Sequence, residues 1–295
     1  MKIILIGSTG MLGQELYKKF SQKDFEILTI SRSNSTNNVD LLIDSKKVTD
    51  LITQEKPNIV VNCAAMINLK ECEKNVDNAY MLNARLPSII ARACSEINCY
   101  FIQISTDHYY ENDKNLQHSE NDTVVLLNEY ARTKYAGEFF ALTNNNSLVV
   151  RTNIVGFRNK KDEPTFIEWV IKSLVQEQTI VGFEDFYTSS IDIYSFSNIL
   201  IELIELKYTG IINIGAKDVY SKYDFIYELA KKFGKEGNVV RGKLNDFQEI
   251  KRANSLGLDI SKLQKVLHKQ QVPSSKEVIN RLYEKFKEGE FHELS

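Results

Sequence analysis

The chain has 295 residues, and its 37 Lys and Arg against 39 Asp and Glu give a net charge of -2 at pH 7. The 43% hydrophobic and 26% charged residues are typical of a globular protein that is long enough to bury a sizeable core. The lysines are scattered among glutamates and form no basic stripe, so nucleic-acid binding is not expected.

The cysteines and the N-terminus indicate the cellular compartment. Cys63, Cys72, Cys94 and Cys99 form no C-x-x-C pair and have no histidines at zinc-ligand spacing, so we expect free thiols in a reducing cytosol and no metal site. The apolar run at residues 2–6 is too short for a signal segment or a membrane span. The sequence therefore predicts a cytoplasmic protein with no membrane partner.

The first half of the chain alternates short apolar runs with amphipathic stretches. The runs that predict strands are residues 2–6, 25–30, 59–62, 100–105 and 148–151. The stretches that predict helices are residues 12–20, 46–54, 76–97 and 130–142. Such alternation predicts an α/β fold with a doubly wound parallel sheet and helices on both faces. The polar residues 31–38 are expected to form a mobile loop.

The regularity weakens after about residue 153. Helices are predicted at residues 166–176, 195–206, 222–233 and 274–288, and a strand at 210–214 is expected to return to the main sheet. We therefore expect two domains, residues 1–153 and a smaller, interleaved C-terminal domain at 154–295.

Three glycines directly follow the first predicted strand, with the spacing G-x-x-G-x-x-G. Glycine permits the tight turn, the close approach of the backbone to a pyrophosphate and the packing of the helix on the strand. The anion would then bind the free N–H groups at the start of the helix. The residues expected to contact a dinucleotide here are Gly7, Thr9, Gly10, Met11, Leu12 and Gly13.

The end of the second predicted strand bears on the choice of dinucleotide. An acidic residue there would bind the ribose hydroxyls of NAD, but the chain has Ser31 and Arg32. An arginine suits a 2′-phosphate, which favours NADP(H), with NAD(H) as the alternative; Arg32 as a solvated loop residue is the competing interpretation. Either Asp40 and Leu41 or Asp44 is expected near the adenine ring.

The candidate catalytic residues follow in a fixed order. Ser105 and Thr106 end the strand at 100–105, and ligands of such sheets bind beyond the carboxyl ends of the strands. Tyr130 and Lys134 share one helix face, since they are four residues apart. A neighbouring ammonium favours an ionised phenol, so Tyr130 is a usable proton donor to a ketone. Taken alone, a Y-x-x-x-K pair is common on helix surfaces.

In this order the motifs resemble the extended branch of the short-chain dehydrogenase/reductase family. Within that branch the chain is similar to the group of dTDP-4-dehydrorhamnose reductases and related nucleotide-sugar reductases. The stretches that carry the resemblance are residues 7–13, 61–65, 83–84, 105–107, 128–134 with 137–138, 151–153, 221–225 and 258–263. The resemblance implies a Rossmann domain at 1–153 that binds NADP(H) and a mainly substrate-binding domain at 154–295.

The resemblance also implies roles for individual residues. Thr106, Tyr130 and Lys134 match the catalytic trio, and Tyr130 and Lys134 also contact the cofactor. The cofactor segment after the fourth strand and its supporting asparagine are matched by Cys63, Ala64, Ala65 and Asn83. The expected substrate contacts are Ile67, Thr106, His108, Asn153 and Ile154. His108 and the Asn153–Ile154 pair stand where the family usually has aromatic residues, so this chain departs from the family at residues expected to line the sugar pocket.

The expected function is reduction of a keto group on a nucleotide-linked deoxy sugar, in the synthesis of surface-polysaccharide precursors. The alternatives are a nucleotide-sugar epimerase or dehydratase and a cofactor-binding regulatory subunit without catalysis. Dehydratases of the family have an Asp-Glu pair after the threonine, whereas this chain has Asp107 and His108. The resemblance implies a homodimer, which the family often forms through helices beside the active site.

Overall fold

The computed structural model describes residues 1–111, 117–160, 163–244, 249–268 and 272–291. The strands are β1 (Lys2–Ile6), β2 (Glu26–Ser31), β3 (Asn37–Asn38), β4 (Ile59–Asn62), β5 (Tyr100–Ile104), β6 (Gln117–His118), β7 (Ser147–Thr152), β8 (Ile154–Val155), β9 (Ile180–Phe183), β10 (Tyr187–Thr188), β11 (Ile191–Asp192), β12 (Gly210–Ile214), β13 (Tyr220–Ser221), β14 (Val239–Gly242) and β15 (Ser255–Leu258). The helices are α1 (Met11–Ser21), α2 (Lys46–Glu55), α3 (Leu69–Lys74), α4 (Val76–Tyr80), α5 (Leu86–Glu96), α6 (Glu129–Ala141), α7 (Phe166–Val175), α8 (Ile193–Glu205), α9 (Lys222–Lys232), α10 (Ser261–Val266) and α11 (Ser275–Lys287), with a π-helical turn at Met81–Arg85 and a 3-10 turn at Glu236–Asn238.

The main sheet has seven strands in the order β12-β7-β5-β4-β1-β2-β3. Strands β1, β2, β4, β5 and β7 pair in parallel, and the register places Ile6 opposite both Ile30 and Asn62. Because the strands are parallel, their carboxyl ends meet at one edge, and the direction of winding changes between β1 and β4. The predicted doubly wound Rossmann sheet is confirmed, including the return of the chain to this sheet as β12.

The central strand explains why the apolar runs of the sequence predicted this sheet so well. Ile3, Ile4, Leu5 and Ile6 of β1 are all 0% exposed. A parallel strand with helices on both faces has no solvent side, so it reads as a continuous apolar run and not as an alternating one.

The chain divides into two compact units. The first comprises residues 1–106, 126–151 and 197–212, with β1–β5, β7, α1–α6 and most of α8 and β12. The second comprises residues 107–125, 152–196 and 213–295. The second unit has the small sheets β13-β10-β15-β6, β11-β8 and β14-β9, and a core cluster formed mainly by α7, α9 and α11. A division of the chain at residue 153 stays a prediction.

The structure differs from the predicted elements in two places of the first unit. The helix predicted at 76–97 contains a π-helical turn at Met81–Arg85, before α5 starts with a proline in its first turn. The loop expected at 31–38 contains the short strand β3, and Ser35 Oγ donates to the carbonyl oxygen of Asn37 (2.9 Å). A two-residue strand owes its existence to its partner, which local sequence patterns do not reveal.

Candidate active site

The glycine turn between β1 and α1 brings backbone against backbone. Gly7 has a φ of +79°, and a Cβ there would lie 2.7 Å from the nitrogen of Ala64. A Cβ on Gly13 would lie 2.2 Å from the carbonyl oxygen of Gly7, so a side chain is excluded at this position. Helix α1 begins after Gly10 with no side-chain cap and no acidic residue in its first turn. Its first N–H groups therefore suit an anion, which fits the pyrophosphate expected from the sequence.

The segment after β4 lies directly against this turn. The N–H of Cys63 donates to the carbonyl oxygen of Ile6 (2.9 Å), and Asn62 Oδ1 accepts from the N–H of Ala64 (3.1 Å). Asn62 also donates to Gln103 Oε1 (2.8 Å), which ties β4 to β5. Burial raises the pKa of the Cys63 thiol to about 12, so its side chain is neutral at physiological pH.

Asn83 fixes the continuation of this segment. It lies in the π-helical turn and is 1% exposed. Its amide accepts from the N–H of Met66 (2.8 Å) and donates to the carbonyl oxygen of Met66 (2.9 Å) and to Thr133 Oγ1 (3.1 Å). A Cβ on Gly137 would lie 2.1 Å from the carbonyl oxygen of Asn83, so glycine lets α6 approach closely. One asparagine thus joins the cofactor segment to the helix that carries the predicted catalytic pair.

Tyr130 and Lys134 lie one turn apart on α6 and are 8% and 4% exposed. Lys134 Nζ donates to the carbonyl oxygen of Ile104 (2.7 Å), the last residue of β5. Thr106 follows two residues later and is 3% exposed. Burial lowers the pKa of Lys134 to about 8, while the nearby carboxylate of Glu138 raises it. At neutral pH the lysine is therefore mainly charged, beside the strand end that carries the threonine.

The end of β2 has the exposed cation that the sequence suggested. The guanidinium of Arg32 is exposed, and no described residue gives it a hydrogen bond or an ion pair. Ser31 is 5% exposed, and its hydroxyl donates to a backbone carbonyl two residues on (2.5 Å). Asp40 accepts from the N–H of Leu42 (3.0 Å), and Leu41 is 8% exposed and packs in the core. Leu41 is therefore directed into the protein, and Asp40 shapes a turn.

His108 lies in the second unit near two cations. Burial, together with the charges of Arg252 and Lys222, lowers the pKa of its imidazole to about 4, so the ring is neutral at pH 7. Lys222 Nζ and Arg252 Cζ lie 5.7 and 5.4 Å from the centre of the Phe186 ring. Burial also lowers the pKa of Lys222, to about 8.

The group formed by Lys222 and Arg252 was not predicted from the sequence. A lysine at the first position of a helix opposes the helix dipole, and Lys222 opens α9 directly after the Ser221 cap. The unfavourable placement of a lysine at this helix start was the feature of the sequence that could have pointed to a functional cation.

Three further predicted substrate contacts have separate environments. Asn153 is half-buried in the second unit, and its Oδ1 accepts from Ser190 Oγ (2.8 Å). Ile154 begins β8 in the same unit. Ile67 lies in the first unit and is 65% exposed.

The first unit thus contains all of the predicted catalytic and cofactor residues. They are Gly7, Thr9, Gly10, Met11, Leu12, Gly13, Ser31, Arg32, Asp40, Leu41, Cys63, Ala64, Ala65, Asn83, Thr106, Tyr130 and Lys134. Most of them follow the carboxyl ends of β1, β2, β4 and β5 or lie on α6. Across the described ranges, no helix is long and apolar enough to cross a membrane, and no cluster of three or more His, Cys, Asp or Glu is arranged to hold a metal ion.

Comparison with known proteins adds to this geometry. The "Probable low-salt glycan biosynthesis reductase Agl14" of Haloferax volcanii is 22% identical over 253 residues, which are 83% of this chain and 84% of that protein. "Methionine adenosyltransferase 2 subunit beta" of Rattus norvegicus is 30% identical over 146 residues, which are 49% of this chain and 43% of that protein. The crystal structure of dTDP-4-dehydrorhamnose reductase from Bacillus anthracis str. Ames in complex with NADP has a TM-score of 0.85 at 22% identity, covering 96% of this chain and 99% of that one.

The family model described as "RmlD substrate binding domain" matches residues 1–287. This match includes the glycine turn, the predicted catalytic residues of α6 and the basic group of the second unit. The chain therefore belongs to the RmlD substrate binding domain family.

Proposed function

We propose that this chain is a cytoplasmic, NADP(H)-dependent reductase of a keto group on a nucleotide-linked deoxy sugar, in the synthesis of surface-polysaccharide precursors. The observation that carries the proposal is the bond from Lys134 Nζ to the carbonyl oxygen of Ile104 (2.7 Å). This bond joins α6, which carries Tyr130, to the end of β5, which precedes Thr106. The end of β5 lies at the same edge of the main sheet as the glycine turn after β1. The family membership and the reductase name of the Haloferax relative support the same activity.

The residues of α6 and β5 can protonate a carbonyl oxygen as it gains negative charge. The nicotinamide supplies the hydride when it is bound. Tyr130 donates its phenolic proton to the oxygen, and the hydroxyl of Thr106 donates a hydrogen bond to the same oxygen. The ammonium of Lys134 stabilises the phenolate that remains. All three side chains are at most 8% exposed, so these interactions are little screened by water.

The exposed arginine after β2 favours NADP(H) over NAD(H). Arg32 has an exposed guanidinium with no ionic partner among the described residues, and its sequence neighbours Ser31 and Ser33 are not acidic. A planar guanidinium binds a phosphate in two-point fashion. We expect Arg32→Ala to weaken NADPH binding by about ten-fold and to leave NADH binding unchanged, because a charge-assisted bond contributes about 1.5–3 kcal/mol.

The second unit contains a group of cations that suits the nucleotide part of the substrate. Lys222 and Arg252 lie beside one aromatic ring, and the carboxylate of Asp107 raises the pKa of Lys222. Two cations and one carboxylate leave a net positive group, which suits the diphosphate of a nucleotide sugar. Asp107 and His108 directly follow Thr106 in the sequence. Because these two residues interact with Lys222 and Arg252, we assign the two cations to recognition of the substrate.

The direct test is cofactor oxidation in the presence of a freshly generated dTDP-4-keto-6-deoxy sugar. Wild-type protein is expected to oxidise NADPH faster than NADH, and Tyr130→Phe is expected to lose at least about a hundred-fold in kcat. The matched control is Tyr17→Phe, which removes a hydroxyl from a 48% exposed tyrosine on α1 and should retain wild-type turnover.

The outcome also separates the competing functions. Product that retains the keto oxidation state, with a tightly held cofactor, would identify an epimerase or dehydratase. NADPH binding without turnover on any keto sugar would favour a regulatory subunit; the Rattus relative is named as a subunit of another enzyme.

A homodimer is part of the proposal. Val76 and Tyr80 on α4 and Phe139 on α6 are 42%, 44% and 59% exposed, and exposed apolar side chains on neighbouring helices suit a contact with a second copy of the chain. Light scattering of the wild type and of Tyr80→Glu tests it, and a monomeric wild type would contradict it.

A further inference from the structure

Glu138 is a buried carboxylate that the proposed chemistry does not use. It lies one turn after Lys134 and two turns after Tyr130 on the same face of α6, and it is 1% exposed. Ser105 Oγ donates to Glu138 Oε1 (2.5 Å). Arg151 Nε donates to both carboxylate oxygens (3.1 Å each), and its Nη2 donates to Oε2 (2.7 Å). A carboxylate with this many charge-assisted bonds is held in one orientation.

These bonds connect the helix to two strands of the main sheet. Ser105 follows β5 and directly precedes Thr106, and Arg151 lies in β7. Lys134 on the preceding turn bonds the carbonyl oxygen of Ile104. Two consecutive residues at the end of β5 are therefore fastened to two consecutive turns of α6. The distance from Thr106 to the catalytic face of the helix follows from this pair of attachments.

Glu138 also provides the main negative charge that acts on Lys134. Among the described residues, the other titratable groups that raise the pKa of the lysine are the thiols of Cys63 and Cys72, and burial raises the pKa values of these thiols to about 12 and about 11. Both thiols are neutral at physiological pH, so they cannot offset the burial of the ammonium. Arg151 faces Glu138 from β7 and neutralises part of its charge.

We propose that Glu138 is a positioning residue of the reductase, whose carboxylate keeps the Lys134 ammonium charged and holds Thr106 against α6. This inference rests on the proposed function, in which Lys134 and Thr106 assist Tyr130. Glu138 acts through these residues and has no contact with the reacting carbonyl.

The test compares the pH profiles of Glu138→Gln and Glu138→Asp. Glutamine removes the charge that raises the pKa of Lys134, so the alkaline fall in kcat should move to lower pH by about one unit. Aspartate keeps the charge but is one methylene shorter, so kcat should fall about ten-fold from lost positioning while the alkaline limb stays in place. KM should change little in either variant. A merely structural role would lower kcat in both and leave both pH profiles unmoved, which would overturn the inference.

Two further variants guard against a failure to fold. Removing one partner of a buried ion pair leaves the other charge unpaired and destabilises the protein. The double variant Glu138→Gln with Arg151→Gln removes both charges, so the shift of the pH profile can still be measured if the single variant does not fold. Ser105→Ala leaves the ion pair intact and should lower kcat without moving the pH profile; wild-type kcat would refute the positioning role. The control is Glu96→Gln, which removes a 56% exposed carboxylate that also pairs with an arginine, Arg92. It should have no effect.

A measurement without substrate separates this inference from the proposed function. The folded-state pKa of Lys134, about 8, is below the ordinary value of 10.5, so the unfolded state binds more protons between these values. Stability therefore rises as pH increases through this window, and the rise should begin at lower pH in Glu138→Gln. If the wild type reduces no keto sugar but this shift appears, only the function fails. If the wild type is active and the pH at which Tm begins to rise is the same in both proteins, the inference fails alone.

Discussion

Gly13→Ala tests whether backbone contact alone forms the cofactor turn. The added Cβ would lie 2.2 Å from the carbonyl oxygen and 2.9 Å from the carbonyl carbon of Gly7, and 2.7 Å from the Cα of Ser8. The closest distance is about 1.2 Å short of the 3.4 Å at which ordinary contact begins. All three neighbouring atoms belong to the backbone, so no side-chain rotation can relieve the clash.

The expected magnitude follows from two opposing terms. Overpacking of this kind costs about 1–3 kcal/mol, and the absence of any flexible neighbour puts Gly13→Ala at the upper end. Alanine is favoured over glycine inside a helix by about 1 kcal/mol, so the net loss is about 2 kcal/mol. For a chain of this length that corresponds to a Tm lower by about 3 °C, or about 6 °C if the first unit unfolds alone. NADPH affinity should fall at least about ten-fold, because α1 can no longer start against β1.

The assay is thermal unfolding together with NADPH binding by fluorescence. Gly10→Ala gives an intermediate case, since its Cβ would lie 3.3 Å from the same oxygen of Gly7. Gly237→Ala is the control, because a Cβ there meets nothing within 4 Å, and its Tm should match the wild type. Wild-type Tm and NADPH affinity in Gly13→Ala would refute the view that close backbone packing determines this turn.

Three other outcomes are expected. Since the pKa of Lys134 is about 8, kcat should be constant below about pH 7 and fall about ten-fold per unit well above pH 8; a flat profile to pH 9 would exclude the charged lysine. Lys222→Gln should raise KM for the nucleotide sugar about ten-fold with kcat nearly unchanged, and inorganic pyrophosphate should inhibit the wild type more than the variant. Equal inhibition would remove Lys222 from the diphosphate site. Thr165→Ala breaks the capping box with Glu168 and should cost about 1 kcal/mol of stability without changing NADPH affinity, so unchanged Tm would contradict the cap.

The cofactor half of the site was predictable because its signals are local. The glycine turn needs residues 7, 10 and 13 and the strand and helix beside them, all within a short stretch of sequence. The spacing of Tyr130 and Lys134 likewise implies a shared helix face. The bond that makes this pair useful, from Lys134 to Ile104, spans 30 positions and depends on helix α6 packing on β5. The local patterns of the sequence nominate Tyr130 and Lys134 as candidates but do not reveal the contacts that hold them.

The features that escaped prediction combine distant residues. Glu138 meets Ser105 across 33 positions and Arg151 across 13, so neither pairing has a local pattern. Lys222 and Arg252 come together on Phe186 through tertiary packing alone. The π-helical turn changes the helical period by one residue for a single turn, which a search for regular periodicity cannot detect.

The distribution of these residues between the two units has a consequence for specificity. Every predicted catalytic and cofactor residue belongs to the first unit, whereas His108, Asn153, Lys222 and Arg252 belong to the second. The first group is constrained by backbone contacts and a buried ion pair, where small changes are costly. The second group consists of side chains whose exchange alters charge and shape without touching those contacts. Substitutions in the second unit are therefore expected to change the sugar that is accepted, with the reaction chemistry of the first unit retained.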